Sequence, residues 1–153
     1  MNMKNKKIII IDDEILISSL IKELLEGEDP ELEITEMVTD KYKFLVLVSE
    51  HPFDLALIDI SIGGREGGLD ILRILKEQGH KLPVVMLSAH DEITYAAKCL
   101  ALGAAGYINK NRIPIDLCRG LKKVIKGELF VSGNEGETIL KKHMAALNGT
   151  ILK

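Results

Sequence analysis

Five polar residues lie at the ends of short apolar runs that are far apart along the chain. They are Asp12, Asp13, Asp59, Ser88 and Lys110. Three carboxylates brought together repel one another, and the pKa of at least one rises unless a cation joins them. Because the set holds no histidine or cysteine, its oxygen ligands favour a hard ion such as Mg²⁺. A metal ion, a lysine ammonium and a hydroxyl together could bind a phosphoryl group.

No nucleotide-binding loop accompanies these residues. The stretch 63–68 reads Gly-Gly-Arg-Glu-Gly-Gly and lacks the Gly-Lys-Ser/Thr ending of a phosphate-binding loop. We interpret its four glycines as turn formers. The phosphoryl group is therefore expected on the protein itself, where a carboxylate is the available nucleophile.

The elements that must position these residues alternate between strand and helix patterns. Short aliphatic runs predict strands, and apolar residues at helical spacing predict helices. The strands are predicted over 8–11, 32–38, 55–58, 83–87 and 104–108, and the helices over 15–26, 40–50, 69–78, 93–102 and 113–126. This alternation predicts an α/β fold with a doubly wound, five-stranded parallel sheet. In the order 2-1-3-4-5, the carboxyl ends of strands one, three, four and five surround the switch point, where ligands bind.

The composition is that of one globular domain. The chain has 153 residues, 46% hydrophobic residues and a formal net charge of −3, so no basic surplus indicates nucleic-acid or membrane binding. Cys99 and Cys118 are expected to be reduced, buried thiols of a cytoplasmic protein. The basic N-terminus precedes an apolar run, residues 8–11, that is too short for a signal peptide or a membrane span.

The ordered set of polar residues at four strand ends resembles the receiver domain of two-component response regulators, with its flavodoxin-like and CheY-like fold. The resemblance covers about residues 6–127. It implies that Asp59 accepts the phosphoryl group and that Asp13 binds Mg²⁺ directly, whereas Asp12 binds it mostly through water. Asp59 and the backbone carbonyl of Ser61 would be further ligands, and Mn²⁺ could replace Mg²⁺.

The same resemblance assigns roles beside the acceptor. Lys110 would pair with the phosphoryl oxygens, Ser88 would hydrogen-bond to the phosphoryl group, and Tyr107 would be the aromatic residue that turns inward on switching. Ser88 could instead cap a helix, a role for which Asp91 competes, and Tyr107 could be ordinary core packing. His90 either tunes the phosphoryl lifetime or is a surface residue.

Two features depart from the family pattern. The loop from Gly63 to Gly68 is one residue longer, and Asn111 follows Lys110 where many members have proline after a cis bond. A cis Lys110–Asn111 bond is our hypothesis here, although it would cost about 3–4 kcal/mol.

The segment after residue 126 is similar to the receiver-to-output linker of the NarL/FixJ class. It reads as an extended or turn segment followed by one more helix over 134–148. This predicts a receiver domain over 4–127 and, over 128–153, a linker and helix leading to a helix-turn-helix output domain outside this chain. DNA binding would then belong to that domain, and no membrane partner is expected.

The resemblance also implies how the protein would work. Its phosphodonor would be a phosphohistidine on a sensor histidine kinase, and its own activity would be Mg²⁺-dependent autophosphorylation with slow autodephosphorylation. One alternative is a stand-alone receiver relay that acts by protein binding. Another is a small phosphohydrolase with Glu14 or His90 as its acid–base group.

Homodimerisation is expected through one of three surfaces. Two of them follow from the resemblance, the first and fifth helices or the fourth helix and fifth strand. The third is the apolar face of the last helix, formed by Ile139, Leu140, Met144 and Leu147.

Overall fold

The computed structural model describes residues 5–89 and 93–152. Strands and helices alternate along the chain. In order they are β1 (Lys6–Ile11), α1 (Ile15–Glu28), β2 (Leu32–Val38), α2 (Lys41–Glu50), β3 (Leu55–Asp59), α3 (Gly67–Glu77), β4 (Val84–Ser88), α4 (Ile93–Ala101), β5 (Gly106–Asn109), a 3-10 turn (Lys110–Arg112), α5 (Ile113–Ile125), β6 (Phe130–Val131) and α6 (Gly136–Leu152).

The sheet is parallel throughout and has the order β2-β1-β3-β4-β5-β6. The predicted order of the first five strands is confirmed. The sixth strand falls in the segment that was predicted to be extended or a turn. It joins the edge of the sheet because Phe130 N donates to Ala105 O and Ser132 N donates to Tyr107 O.

Strands β3, β4 and β5 and the four isoleucines of β1 bury both of their faces, as expected for a parallel sheet covered by helices on each side, whereas the edge strand β2 is partly exposed. In β1, Ile8 and Ile10 face the core beneath α1 and α5, whereas Ile9 and Ile11 face the core beneath α2, α3 and α4. Successive side chains of a strand point to opposite faces, so a continuous apolar run supplies two cores at once. This explains why the four buried residues of β1 are all isoleucine.

Helix α3 begins two residues earlier than predicted, at the second half of the glycine-rich stretch. A Cβ atom at Gly68 would lie 2.2 Å from Asp59 O, and one at Gly67 would lie 1.7 Å from Ile62 O. These two glycines therefore permit close approach of the helix to the β3 loop. Gly63 and Gly64 have positive φ values and do form the predicted turn.

The hypothesis of a cis Lys110–Asn111 bond is wrong. The part of the chain that the structure describes contains no cis peptide bond. Asn111 has an N–H group where proline has none, and that group donates to Asn109 Oδ1 at 2.8 Å. The trans bond is the lower-energy form for this pair, and the side chain of Asn109 caps the 3-10 turn that follows.

Both cysteines are free, with Cys99 buried and Cys118 half-buried. Burial raises the pKa of each thiol to about 12, so neither is a reactive thiolate at neutral pH. Within residues 5–89 and 93–152, no helix combines the length and the apolar character that crossing a membrane requires.

Candidate functional site

The carboxyl ends of four adjacent strands meet at one edge of the sheet. Asp12 and Asp13 follow β1, Asp59 and Ser88 are the last residues of β3 and β4, and Lys110 follows β5. Because β1, β3, β4 and β5 are consecutive in the sheet, these residues converge as expected. Asp12, Asp59 and Ser88 are buried, whereas Asp13 is exposed.

The three aspartates form a cluster of oxygen ligands. One carboxylate oxygen from each of Asp12, Asp13 and Asp59 lies within 4.8 Å of the others. Backbone groups orient the cluster, since Glu14 N donates to Asp12 Oδ1 at 2.8 Å and Ser61 N donates to Asp59 Oδ1 at 3.3 Å. The Ser61 hydroxyl also lies 3.2 Å from Asp59 Oδ1.

Lys110 brings an ammonium group into this cluster, and its side chain is only 7% exposed. Its Nζ atom lies 2.6 Å from Glu14 Oε1, 3.0 Å from Asp12 Oδ2 and 3.5 Å from Asp59 Oδ1. Glu14 is 57% exposed and was predicted only as an acid–base candidate. Its position directly after Asp12 and Asp13 is the sequence signal that it belongs to the site.

Burial and charge oppose each other at this site. Burial raises the pKa of Asp12, although Glu14 N and Lys110 lower it in part. Burial disfavours the Lys110 ammonium, but the carboxylates of Glu14 and Asp12 outweigh it and raise the pKa of Lys110. The lysine is therefore charged at neutral pH, in a site with more carboxylates than one ammonium can satisfy.

The donor set fits a hard divalent cation. Asp12 Oδ2 is buried and lacks a well-formed hydrogen bond, although Lys110 Nζ lies 3.0 Å away as an ion pair. A buried anionic oxygen without a hydrogen bond is unfavourable, and a metal ion would satisfy it. The exposed carboxylate of Asp13 makes the cluster accessible to an ion from solvent.

The remaining predicted residues lie around this cluster. Ser88 is buried at the end of β4, opposite Asn109 of β5. Tyr107 is buried in the core that also contains Val131 and Ile139, which agrees with its reading as core packing and leaves its switch role a prediction. Ser61 is exposed, and its carbonyl accepts a hydrogen bond from Gly64 N at 3.1 Å. His90 and Asp91 lie outside the described residues.

Comparison with known proteins consistently indicates one protein family for this chain. The family model described as the response regulator receiver domain matches residues 8–122. Transcriptional regulatory protein DegU of Brevibacillus brevis is 28% identical over 147 residues, which is 96% of this chain and 61% of DegU. A putative NtrX-like response regulator of Rickettsia felis is 34% identical over 109 residues, covering 71% of this chain and 22% of that protein.

Solved structures share the fold at lower identity. The RcsB response regulator of Salmonella typhimurium has a TM-score of 0.78 at 21% identity, covering 92% of this chain and 69% of that one. The receiver domain of the putative response regulator NarL from Mycobacterium tuberculosis has a TM-score of 0.73 at 22% identity, covering 82% of this chain and all of that one.

This chain is shorter than the curated relatives that it matches. It spans 61% of DegU, 60% of a fimbriae Z protein and 57% of the sensory transduction protein LytT. The family match itself covers well over half of this chain and includes every residue of the acidic cluster and Lys110. The chain therefore belongs to the family of response regulator receiver domains.

Proposed function

We propose that this receiver accepts a phosphoryl group on the Asp59 carboxylate and thereby controls an output. The observation that carries the proposal is the Lys110 ammonium, held 3.5 Å from Asp59 Oδ1 among buried carboxylates. The donor would be a phosphohistidine of a sensor histidine kinase. An Asp59 oxygen would form the new bond to phosphorus while the phosphorus–nitrogen bond breaks. Its electron pair would return to the imidazole, which takes a proton from solvent.

A metal ion would make this transfer possible between two anions. Asp12, Asp13, Asp59 and the Ser61 carbonyl would hold Mg²⁺, or Mn²⁺ in its place. The ion would neutralise charge on the acceptor and on the incoming phosphoryl oxygens. Lys110 supplies a second positive charge from the other side of the cluster.

Ser88 and Tyr107 would report the modification to the rest of the molecule. Ser88 is buried at the end of the strand next to Asp59, where its hydroxyl could bond to a phosphoryl oxygen. Tyr107 lies on β5, the next strand along, and would follow the movement of the loop after Ser88. Their burial supports this assignment, because a change at either side chain must displace its neighbours.

The output is proposed to be transcription, through a helix-turn-helix domain outside this chain. The names of DegU as a transcriptional regulatory protein and of RcsB as a regulator that interacts with DNA support this proposal. A stand-alone relay remains the alternative. Strand β6 and Ile139 pack with the receiver core, so we propose that the receiver extends beyond the predicted residue 127 and includes β6 and the start of α6.

The proposed homodimer would use helices α1 and α5. Helix α6 packs on α4 and β6 and thus covers the fourth-helix and fifth-strand surface. Large apolar side chains are instead exposed on α1 and α5, namely Ile15, Leu16, Leu20 and Ile115. The exposed Met144 and Leu147 of α6 form the other candidate surface. A cytoplasmic location remains a prediction that the family assignment supports.

Intact mass after incubation with acetyl phosphate and Mg²⁺ tests the phosphoacceptor. We expect the wild type to gain the mass of one phosphoryl group, and EDTA to prevent that gain. Asp59→Asn should gain nothing, whereas Asp70→Asn, which removes an exposed carboxylate from α3, should behave as the wild type does. An unmodified wild type under all conditions, or a modified Asp59→Asn, would contradict the proposal.

A further inference from the structure

Residues 128–139 form a segment, here called the tail segment, that lies outside the family match at 8–122 but inside the folded core. It contains β6 and the first turn of α6. Four of its side chains, those of Phe130, Val131, Ser132 and Ile139, are buried. The segment is thus an integral part of the sheet rather than a loose connection.

A buried aspartate on α5 fixes the turn between β6 and α6. Asp116 accepts hydrogen bonds from Arg112 Nε at 3.0 Å, Arg119 Nη2 at 2.8 Å and Gly133 N at 3.0 Å. The first two are also ion pairs. Because the Gly133 amide belongs to the tail segment, the Asp116 carboxylate holds that segment against α5.

Close packing fixes the strand itself. A Cβ atom at Gly120 would lie 2.6 Å from Cδ2 of Phe130, so α5 has room for this ring only because residue 120 is glycine. The Arg119 guanidinium lies 5.2 Å from the centre of the same ring, within cation–π distance. The position of β6 relative to α5 is therefore closely specified.

The hydroxyl of Ser132 links the tail segment to the residue that precedes Lys110. Ser132 N donates to Tyr107 O, as in a regular parallel sheet. If the regular pattern continued, the next hydrogen bond would run from Asn109 N to the main-chain carbonyl of Ser132. Here Asn109 N donates instead to Ser132 Oγ, at 2.8 Å, in a buried contact. Asn109 directly precedes Lys110, so the hydroxyl fixes the backbone from which the lysine side chain extends.

We propose that Ser132 is a positioning residue for phosphoryl transfer, acting on Lys110 through the amide of Asn109. The inference rests on the proposed function, because it concerns the rate of the same reaction. Without the hydroxyl, the end of β5 loses its bond to β6, and the ammonium samples positions further from Asp59. Misplacement of a charged group by a fraction of an ångström slows a reaction that depends on its electrostatic stabilisation.

The test is the rate of phosphorylation by acetyl phosphate at saturating Mg²⁺, followed by intact mass. Ser132→Ala should slow phosphorylation about fivefold, and Ser132→Thr, which keeps the hydroxyl, should restore the rate to within about twofold. The affinity for Mg²⁺, measured by calorimetry, should not fall in either variant, since Ser132 touches none of the three aspartates and a more distant Lys110 ammonium competes less with the ion for Asp12 and Asp59. A merely structural role would not separate the rate from the affinity in this way.

Two control variants distinguish positioning from general loosening. Ser49→Ala removes a hydroxyl that bonds only to Leu45 O on α2, and Val124→Ala removes buried volume from α5. Both should keep the wild-type rate. An unchanged rate in Ser132→Ala, or an equal loss in Val124→Ala, would overturn the inference while leaving the proposed function intact. A wild type that is never phosphorylated would instead overturn the proposed function.

A second measurement uses the wild type alone, should Ser132→Ala fail to fold. Beryllofluoride with Mg²⁺ imitates a phosphoryl group on a carboxylate, and its ¹⁹F resonance reports whether it is bound. On binding, we expect the amide resonances of Ser132 and Gly133 to shift, while that of Gly149 in the last turns of α6 stays in place. Bound beryllofluoride without any shift at Ser132 would refute the coupling.

Discussion

Two aspartates, Asp12 after β1 and Asp116 on α5, are fully buried, yet their surroundings differ in kind. Asp116 accepts three hydrogen bonds, two of them from arginines, and these lower its pKa against the effect of burial. Asp12 has one backbone donor and a shared lysine, one of its oxygens lacks a well-formed hydrogen bond, and burial raises its pKa.

The difference separates a group that holds the fold together from one that is available to a ligand. A buried charge whose hydrogen bonds are all made contributes to structure, whereas an unsatisfied one destabilises the protein until a partner arrives. Natural proteins retain such destabilising groups where binding or catalysis requires them. The contrast between the two aspartates thus supports the proposal that a ligand binds at the Asp12 cluster.

The largest expected effect contrasts the same substitution at the two sites. Asp116→Asn should lower the free energy of unfolding by about 2 kcal/mol, because it removes the charge-assisted hydrogen bonds of Arg112 and Arg119, whose partly exposed guanidinium groups remain solvated. Asp12→Asn should raise it by about 1 kcal/mol without metal, because it removes a poorly compensated buried charge. Urea denaturation in EDTA measures both. If both variants lose stability equally, the contrast between the two aspartates is wrong.

Metal binding should raise the free energy of unfolding by nearly as much as the two substitutions differ, and it should do so only through the Asp12 cluster. At a Mg²⁺ concentration 100 times the dissociation constant, the free energy of unfolding should rise by about 2.7 kcal/mol. Asp13→Asn should remove most of this increment, since Asp13 offers a carboxylate to the cluster. Asp116→Asn should keep the full increment despite its lower stability. Thermal denaturation with and without Mg²⁺ would show whether it does.

A smaller effect is expected where the tail segment packs on α5. Gly120→Ala should lower stability by about 1–2 kcal/mol, because displacing the Phe130 ring outweighs the gain in helix propensity. Gly149→Ala is the matched control, since its Cβ would meet nothing within 4 Å and should stabilise α6 slightly. Chemical denaturation of both variants gives the difference. A stable Gly120→Ala variant would mean that Phe130 moves at little cost.

The smallest effect is a difference in pH dependence. The lowered pKa of Asp116 contributes stability that is complete above the unfolded value of about 3.9 and is lost as pH falls below it, through the folded pKa. The raised pKa of Asp12 does the opposite. Its penalty is present above the folded pKa and is relieved as pH falls toward about 3.9.

The two asparagine variants should therefore converge on the wild type from opposite directions as the pH is lowered. As the pH falls, the difference in free energy of unfolding between Asp12→Asn and the wild type should disappear above pH about 3.9. The corresponding difference for Asp116→Asn should disappear below that pH. Urea titrations between pH 3 and 7, in EDTA, are the measurement. If the free energy of unfolding depends on pH in the same way for the two variants, the opposite pKa shifts of Asp12 and Asp116 are refuted.

Most of the fold and the main site could be predicted from the sequence, because each depends on a local pattern. Runs such as Ile8–Ile11 have the composition of a buried parallel strand, and the polar residue that ends each run marks the ligand-binding edge. Given the known strand order of flavodoxin-like sheets, the convergence of Asp12, Asp59 and Lys110 followed from these patterns.

What was missed depends on contacts between distant residues. Strand β6 has two residues, too few for an alternating pattern, and it exists because Gly120 leaves room for Phe130. Asp116 reads as an ordinary polar position near the start of α5, and only the tertiary structure brings the Gly133 amide to it. The hypothesis of a cis bond before Asn111 was wrong because the cis form is common before proline, which many family members have there, and Asn111 lacks the proline ring.

Strand β6 has one more consequence, which concerns association between chains. It occupies the outer edge of β5, whose backbone groups at Ala105 and Tyr107 would otherwise be open to pairing with another molecule. The opposite edge, β2, carries the carboxylates of Glu33 and Glu36, which discourage such pairing by charge. One edge of this sheet is thus protected by its own chain and the other by repulsion, so a version ending before Phe130 should aggregate through β5.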